Sequence, residues 1–226
     1  TRYIGDWSSD VCSSDLPVNA MGMTKALMEK VAQAHSLSNP EAKTTVSCVR
    51  YGNVLYSRGS VVPLFISQLR AGLPITVTDP EMTRFMMTLD QSVDLVDYAF
   101  SHAEQGDLFI RKVPASTVGD LARAVCELFG VEPDIRVIGT RHGEKLSEQL
   151  ATREELMRAH DHGTYFRVLA DQRQLNYDQY ENVGSGTLTS FGDYDSHTSE
   201  RLDVAGVKEL LLTLPEIRAA LDTWAR

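Results

Sequence analysis

Apolar residues at Met21, Leu27, Met28 and Val31 recur at helical spacing, which predicts an amphipathic helix from Asn19 to about His35, capped by Asn19. Asn39-Pro40 breaks that period. The run from Thr44 to Leu55 carries Val46, Cys48, Val49 and Val54, a density that predicts a buried strand. A second helix is expected over Val61 to Ala71, stopped by Gly72 and Pro74, and Ile75-Thr76-Val77 reads as a short strand. Asp90 is expected to cap a third helix through Phe100, with Val93, Leu95, Val96 and Ala99 turned inward. Asp107 to Lys112 predicts another strand, and Thr117 caps a helix to Phe129 that Gly130 ends. Asp134 to Ile138 is a strand leading into Thr140-Arg141-His142-Gly143-Glu144-Lys145. Strands alternating with helices predict an α/β protein. After Ala170 the texture changes: Asn176 to Ser196, rich in Gly, Ser, Asn, Asp and Tyr, reads as an extended arm, followed by two short helices from Asp203 and Pro215.

Residues 1–16 fit none of this. They hold no sustained period, and they lack the basic start and apolar stretch of a targeting peptide. Asp6 to Leu16 back-translates into a run that resembles a common sequencing-adapter oligonucleotide. The expectation is a translated adapter joined in frame to a gene fragment that begins near Pro17; the alternative is a natural Ser-rich N-terminus. On the first reading the native protein is longer and the N-terminal half is missing here.

Composition narrows the class. With 42% hydrophobic and 23% charged residues in 226, the chain can bury a real core over one or two domains. A net charge of -9 argues against non-specific nucleic-acid binding, which needs phosphate neutralisation, but allows a nucleotide ligand. No apolar run approaches the ~20 residues that span a bilayer. Cys12, Cys48 and Cys126 are odd in number and far apart, so they read as reduced thiols in a cytoplasmic protein. His160 and His162 lie two apart with no cysteine nearby, which argues against a zinc site, and no metal is expected.

Several side chains could carry chemistry. Met21 and Lys25 lie one helical turn apart on one face; taken alone, Lys25 reads far more readily as a solvated surface charge and Met21 as core packing, and only the succession of further motifs points to a nicotinamide ribose. Asn53 ends a predicted strand, where open α/β sheets place ligand contacts, or it forms a turn. Tyr56-Ser57-Arg58-Gly59-Ser60 puts a glycine loop just before a helix, suited to a phosphate or to a plain connection. Arg84, between Thr83 and Phe85 and ahead of a Met pair, is expected to be partly buried and so to need an anion, either a diphosphate or a nearby Asp or Glu. Arg141 and Glu144 flank Gly143. The Arg suits phosphate and the Glu suits a ribose diol, with a surface ion pair as the bland version. There is no Ser nucleophile elbow, P-loop or G-x-G-x-x-G.

Taken in order, these segments resemble the extended short-chain dehydrogenase/reductase family, in its bacterial polysaccharide-biosynthesis branch. The residues that carry the likeness are Pro17-Val18-Asn19-Ala20-Met21-Gly22, Arg50-Tyr51-Gly52-Asn53-Val54, Ser57 to Phe65, Val77 to Phe85, Gly139 to Leu146, and Ser196 to Val204. Most of the family carries a catalytic Tyr four residues before the Lys. Here that position is Met21, as in the soluble UDP-N-acetylglucosamine 4,6-dehydratases that also invert C5.

The resemblance implies the C-terminal part of a Rossmann-type parallel sheet, a smaller α/β substrate domain and a C-terminal arm. The expected ranges are 17–60 for the remainder of the dinucleotide-binding domain, 61–170 mainly for the nucleotide-sugar domain, and 171–226 for the arm and helices. It implies a hydride shuttle on a UDP-N-acetylhexosamine: NAD or NADP accepts hydride from C4, water leaves across C5 and C6, and hydride returns to C6. Lys25 carries over as the lysine that binds the cofactor ribose and stabilises charge. Met21, whose thioether moves no proton, leaves acid–base work to a Ser/Thr-Asp-Lys motif expected upstream of Pro17. Asn53, Arg58, Arg84, Arg141 and Glu144 carry over as substrate contacts, and the full-length form is expected to be a homo-oligomer. Without the glycine-rich loop, this chain is expected to bind dinucleotide weakly and to be inactive alone. The alternatives are a UDP-sugar 4-epimerase, and, in a different class, a non-catalytic uridine-nucleotide-binding or assembly module.

Overall fold

A computed structural model describes residues 20–140, 144–170 and 192–224. In chain order it contains helix α1 (Ala20–Ser38), strand β1 (Cys48–Arg50), α2 (Val61–Arg70), β2 (Ile75–Val77), β3 (Thr83–Phe85) and α3 (Leu89–His102). There follow β4 (Leu108–Arg111), β5 (Ala115–Thr117), α4 (Val118–Leu128), β6 (Ile135–Val137), β7 (Gln149–Ala151) and α5 (Arg153–Leu156). The chain closes with β8 (Ala159–Asp161), β9 (Tyr165–Val168), β10 (Tyr194–Asp195), α6 (Val204–Thr213) and α7 (Pro215–Trp224).

The architecture is α/β with parallel pairing, as the alternation predicted. In a four-stranded sheet of order β1-β4-β9-β8, β1 runs parallel to β4 with Cys48 opposite Leu108, and β9 joins antiparallel to both β4 and β8. A second parallel pair, β2 with β6, sets Ile75 opposite Ile135. Two antiparallel pairs, β3 with β5 and β7 with β10, lie outside those sheets.

Two apolar clusters hold these elements. Phe65 and Ile66 of α2, Ile75 and Val77 of β2, Leu121 and Val125 of α4, Val207 and Leu211 of α6, and Ile217 of α7 form one, closed by Trp224 edge-on to Phe129 at 5.0 Å. Phe85, Met87, Leu95 and Ala99 form the other with Leu108 to Ile110, Leu150 and Val168. Each fully buried large side chain contributes about 1.5–3 kcal/mol of transfer free energy.

Three expectations are corrected. The stripe expected to face inward from α1 faces out: Leu27, Met28 and Val31 are each about 60% exposed. The buried seam of α1 is instead Gly22, Glu29 and Ser36, seven residues apart and so on one face after two turns. Small and polar groups line it because they meet partners: Ser36 Oγ lies 3.3 Å from the Val46 carbonyl, and Glu29 meets Arg50. Asn19 falls outside the described residues. Second, the cap of α3 is Thr88, not Asp90. Thr88 Oγ1 accepts from Gln91 N–H and the Gln91 side chain accepts from Thr88 N–H, a reciprocal box that leaves Asp90 in the first turn. The rotation this sets buries Leu95 and Ala99 and leaves Val93 half-exposed. Third, the long strand expected over Thr44 to Leu55 is three residues of ladder. Beyond it Val54 bridges Met87, and the Val46 carbonyl accepts from Gly106 N–H at 2.8 Å. Most of the arm, from 171 to 191, lies outside the described residues. Thr117 and Asp203 cap α4 and α6 with side-chain acceptance from Asp120 and Gly206 N–H.

Candidate functional site

Asn53 follows β1, whose parallel partner is β4. Its Oδ1 accepts from Phe85 N–H at 3.2 Å, and its carbonyl accepts from Met87 N–H at 3.2 Å. The side chain therefore ties β3 to the end of β1, a use that the turn reading missed. Gly52 beside it permits the approach: a Cβ there would lie 2.5 Å from Phe85 Cβ.

β3 presents Arg84 between buried Thr83 and Phe85. Its side chain is 17% exposed, as the sequence implied, and its partners come from the fold. Nη1 donates to the Thr83 carbonyl at 2.8 Å and reaches the Leu146 carbonyl at 3.5 Å; Nη2 donates to the Lys145 carbonyl at 2.9 Å. Nε lies 3.8 Å from Glu148 Oε1. Glu148 is 8% exposed, and its Oε2 is buried without a hydrogen-bond partner. Burial pushes the Glu148 carboxyl up, against the opposing pull of Arg84 and Lys145.

Glu144 is exposed beside this cluster, with Thr78 Oγ1 donating to its Oε1 at 3.1 Å. Arg141 falls outside the described residues, so its pairing with Glu144 does too. Arg58 is exposed in the turn before α2, where Tyr56 adopts φ 60. That left-handed conformation is uncommon for a non-glycine residue and marks a constrained loop. Ser60, at the N-cap of α2, makes no side-chain cap hydrogen bond.

Lys25 is half-buried on α1; Met21 lies on the same helix, with its side chain outside the described residues. A lysine ammonium, donor-only and positive, fits the ribose of a dinucleotide. The sequence of this chain holds no G-x-G-x-x-G. Among the described residues no group of three or more His, Cys, Asp or Glu is placed to hold a metal ion. Nor is any described helix long and apolar enough to cross a membrane.

Two features escaped the sequence reading. Arg50 is 6% exposed, and its Nε and Nη2 grip Glu29 of α1 while Nη1 and Nη2 grip Glu155 of α5. Nη1 also donates to the Leu150 carbonyl at 2.9 Å. The signal available was Thr152-x-x-Glu155, the spacing of a capping box, which the structure forms. The second is Ser196 of the arm: it is fully buried, its hydroxyl 2.9 Å from Thr83 Oγ1, and its N–H donates to the Glu148 carbonyl. Ser196 thus seats on β3 beside Arg84.

The model of the family described as polysaccharide biosynthesis protein matches residues 8–170, and its C-terminal companion, described as polysaccharide biosynthesis protein C-terminal, matches 171–218. The chain belongs to the polysaccharide biosynthesis protein family. It is 50% identical over 205 residues to a UDP-glucose 4-epimerase of Rickettsia prowazekii and 49% identical to that of Rickettsia felis, covering 91% of this chain and 60% of each relative. The chain therefore spans about 60% of the length of these curated relatives. Among solved structures it resembles Pen from Bacillus thuringiensis, at 33% identity and TM-score 0.75 over 88% of this chain and 58% of that one. A UDP-glucuronic acid 4-epimerase of Bacillus cereus bound to UDP-glucuronic acid and NAD shares the fold at 16% identity and TM-score 0.52, covering 65% of this chain and 47% of its own. The membership agrees with the dehydrogenase/reductase resemblance in its polysaccharide-biosynthesis branch and with the Rossmann-type fold.

Proposed function

We propose that the whole protein is an NAD(P)-dependent enzyme acting at C4 of a UDP-sugar, and that this chain supplies most of the sugar-nucleotide site. The observation that carries the reading is the 50% identity to proteins named UDP-glucose 4-epimerase, held across 91% of this chain. On that support, 4-epimerisation is the leading reaction: C4 is oxidised to a ketone and reduced on the opposite face. NAD or NADP, when bound, would supply the hydride acceptor. Lys25 would hold its ribose and favour negative charge at the reacting oxygen. Asn53 Nδ2 and Arg58 would meet sugar and phosphate oxygens, Arg141 the phosphates, and Glu144 the ribose diol. Residues 17–60 would belong to the cofactor domain and 61–170 mainly to the substrate domain, with a homo-oligomer as the working form.

Met21 favours a second reading, UDP-N-acetylglucosamine 4,6-dehydration with C5 inversion. A thioether moves no proton, so the chemistry would need other acid–base groups, as the dehydratase branch supplies. The two reactions separate in one assay. The whole protein is incubated with UDP-glucose and with UDP-N-acetylglucosamine, and the products are weighed. Epimerisation leaves the mass unchanged and yields the galacto sugar; dehydration yields a product lighter by one water. Neither product from either substrate would overturn both readings.

A further inference from the structure

Glu148 is a buried carboxylate that the reaction proposed above does not use. Its backbone is pinned: its N–H donates to Ser196 Oγ at 2.9 Å, and its carbonyl accepts from Ser196 N–H at 2.8 Å. Ser196 is itself fully buried and donates to the Thr83 carbonyl at 3.0 Å. Glu148 is therefore fixed beside β3, with its Oε1 3.8 Å from Arg84 Nε. That distance suits an ion pair and is too long for a hydrogen bond. Arg84 is aimed instead by short bonds to the Thr83 and Lys145 carbonyls, at 2.8 and 2.9 Å, which leave its fork donors for an anion.

The second carboxylate oxygen, Oε2, is buried without a hydrogen-bond partner, so the ionised form lacks the donors that normally offset burial. What favours the charge is the attraction of Arg84 from β3 and then of Lys145 from its own segment, and burial outweighs both. Those are the charged groups that face it among the described residues; the arm presents the neutral Ser196 hydroxyl. A diphosphate on Arg84 changes this balance. Its charge cancels the main attraction that keeps Glu148 ionised and adds repulsion in a partly buried space, where charges interact strongly. A neutral Glu148 removes the conflict.

We propose that binding at this site is coupled to a proton: when a diphosphate ester reaches Arg84, Glu148 takes up one proton from solvent and stays neutral in the complex. This rests on the reading of Arg84 as a substrate contact. The complex holds the proton more tightly than the free chain does. Affinity therefore rises as pH falls, and it levels off once Glu148 is protonated in the free chain as well.

The test is calorimetric titration of the purified chain with UDP-glucose, whose diphosphate diester keeps its charge across the range used. Titrations from about pH 5 to about pH 8, in buffers of different ionisation enthalpy, read proton uptake directly. The unaltered chain should take up as much as about one proton within that range and bind about tenfold tighter at its acid end. Glu148→Gln mimics the neutral acid. It should lose that uptake, bind about tenfold tighter than the unaltered chain at the alkaline end, and converge with it at the acid end. A carboxylate that only supports the fold would leave the affinity and its pH dependence unmoved by the change. Absence of proton uptake in the unaltered chain overturns the inference without any variant. So does uptake that survives Glu148→Gln, or weaker binding by Glu148→Gln at the alkaline end. Arg84→Gln tests the underlying reading separately, and it should weaken UDP-glucose at every pH. Unchanged binding in Arg84→Gln, or no binding by the unaltered chain, would overturn the reading of Arg84 and the inference with it.

Discussion

Arg50 and Glu29 form a two-pronged ion pair, Nε to Oε2 at 2.8 Å and Nη2 to Oε1 at 2.7 Å, that fastens α1 to the end of β1. Glu155 grips the other edge of the same guanidinium at 2.7 and 2.9 Å, so one buried arginine joins three elements. Removing one partner of such a cluster strands a buried charge, which costs about 3–5 kcal/mol. Arg50→Ala should lower stability by that amount, read as a shift of the urea midpoint. Arg50→Lys should restore little of it, because an ammonium with three donors cannot reproduce two two-pronged carboxylate pairs at once.

Acid should act on the glutamates in opposite senses. Burial works to raise the Glu155 carboxyl, but the Arg50 hydrogen bonds and charge, with the Thr152 N–H, hold it below the ordinary 4.5. A lowered folded value contributes stability above 4.5 and loses it as pH falls through the folded value. Burial leaves Glu148 raised above 4.5, so its ionised form is disfavoured in the folded chain above that folded value and the disadvantage is gone below 4.5. Glu148→Gln should therefore stabilise the chain at neutral pH, and the gain should vanish by about pH 4 in melts across a pH series. A gain that persisted in acid would contradict the assignment.

Gly52→Ala tests the contact that seats β3. The added Cβ would meet Phe85 Cβ at 2.5 Å, a rigid atom next to the backbone, so β3 must move away from Asn53. The expected cost is about 1–3 kcal/mol, seen as a lower melting temperature. Leu27→Lys with Val31→Lys is the opposite case. Both positions are about 60% exposed, and stability should stay within about 0.5 kcal/mol of the unaltered chain.

Burial, and then the Glu29 charge, push the Cys48 thiol up to about 11. At about pH 8 it is then almost wholly protonated, and reactivity follows the thiolate. Peptide mapping after iodoacetamide should find Cys48 unmodified in the native chain and modified after denaturation in guanidinium chloride.

Where the sequence carried a local signal, the fold followed it. Thr117, Gly130 and Asp203 bound their helices because caps act through side chains and φ angles within a few residues. Ile75 to Val77 formed the strand expected of three apolar or β-branched residues after Pro74. One miss is local: Thr88 and Gln91 carry the spacing of a capping box, which displaces Asp90 as the cap of α3. The other misses are non-local. The outward stripe of α1 could not be told from a core stripe, because what α1 buries is a glutamate whose partner lies 21 residues on. β3, β5 and β9 are short ladders fixed by pairing across the chain, and their windows hold no alternation long enough to read. At the site, the partial burial of Arg84 was legible from its neighbours. Its carbonyl partners were not, because Lys145 and Leu146 are brought to it by the hydrogen bond from Thr83 N–H to the Leu146 carbonyl and not by sequence proximity.

The most direct test of the central claim is titration of the purified chain with UDP and, in parallel, with ADP. UDP should bind saturably, ADP should bind much more weakly, and Glu144→Gln should lose about tenfold for UDP. Equal affinity for the two nucleotides, or UDP binding untouched by Glu144→Gln, would contradict it.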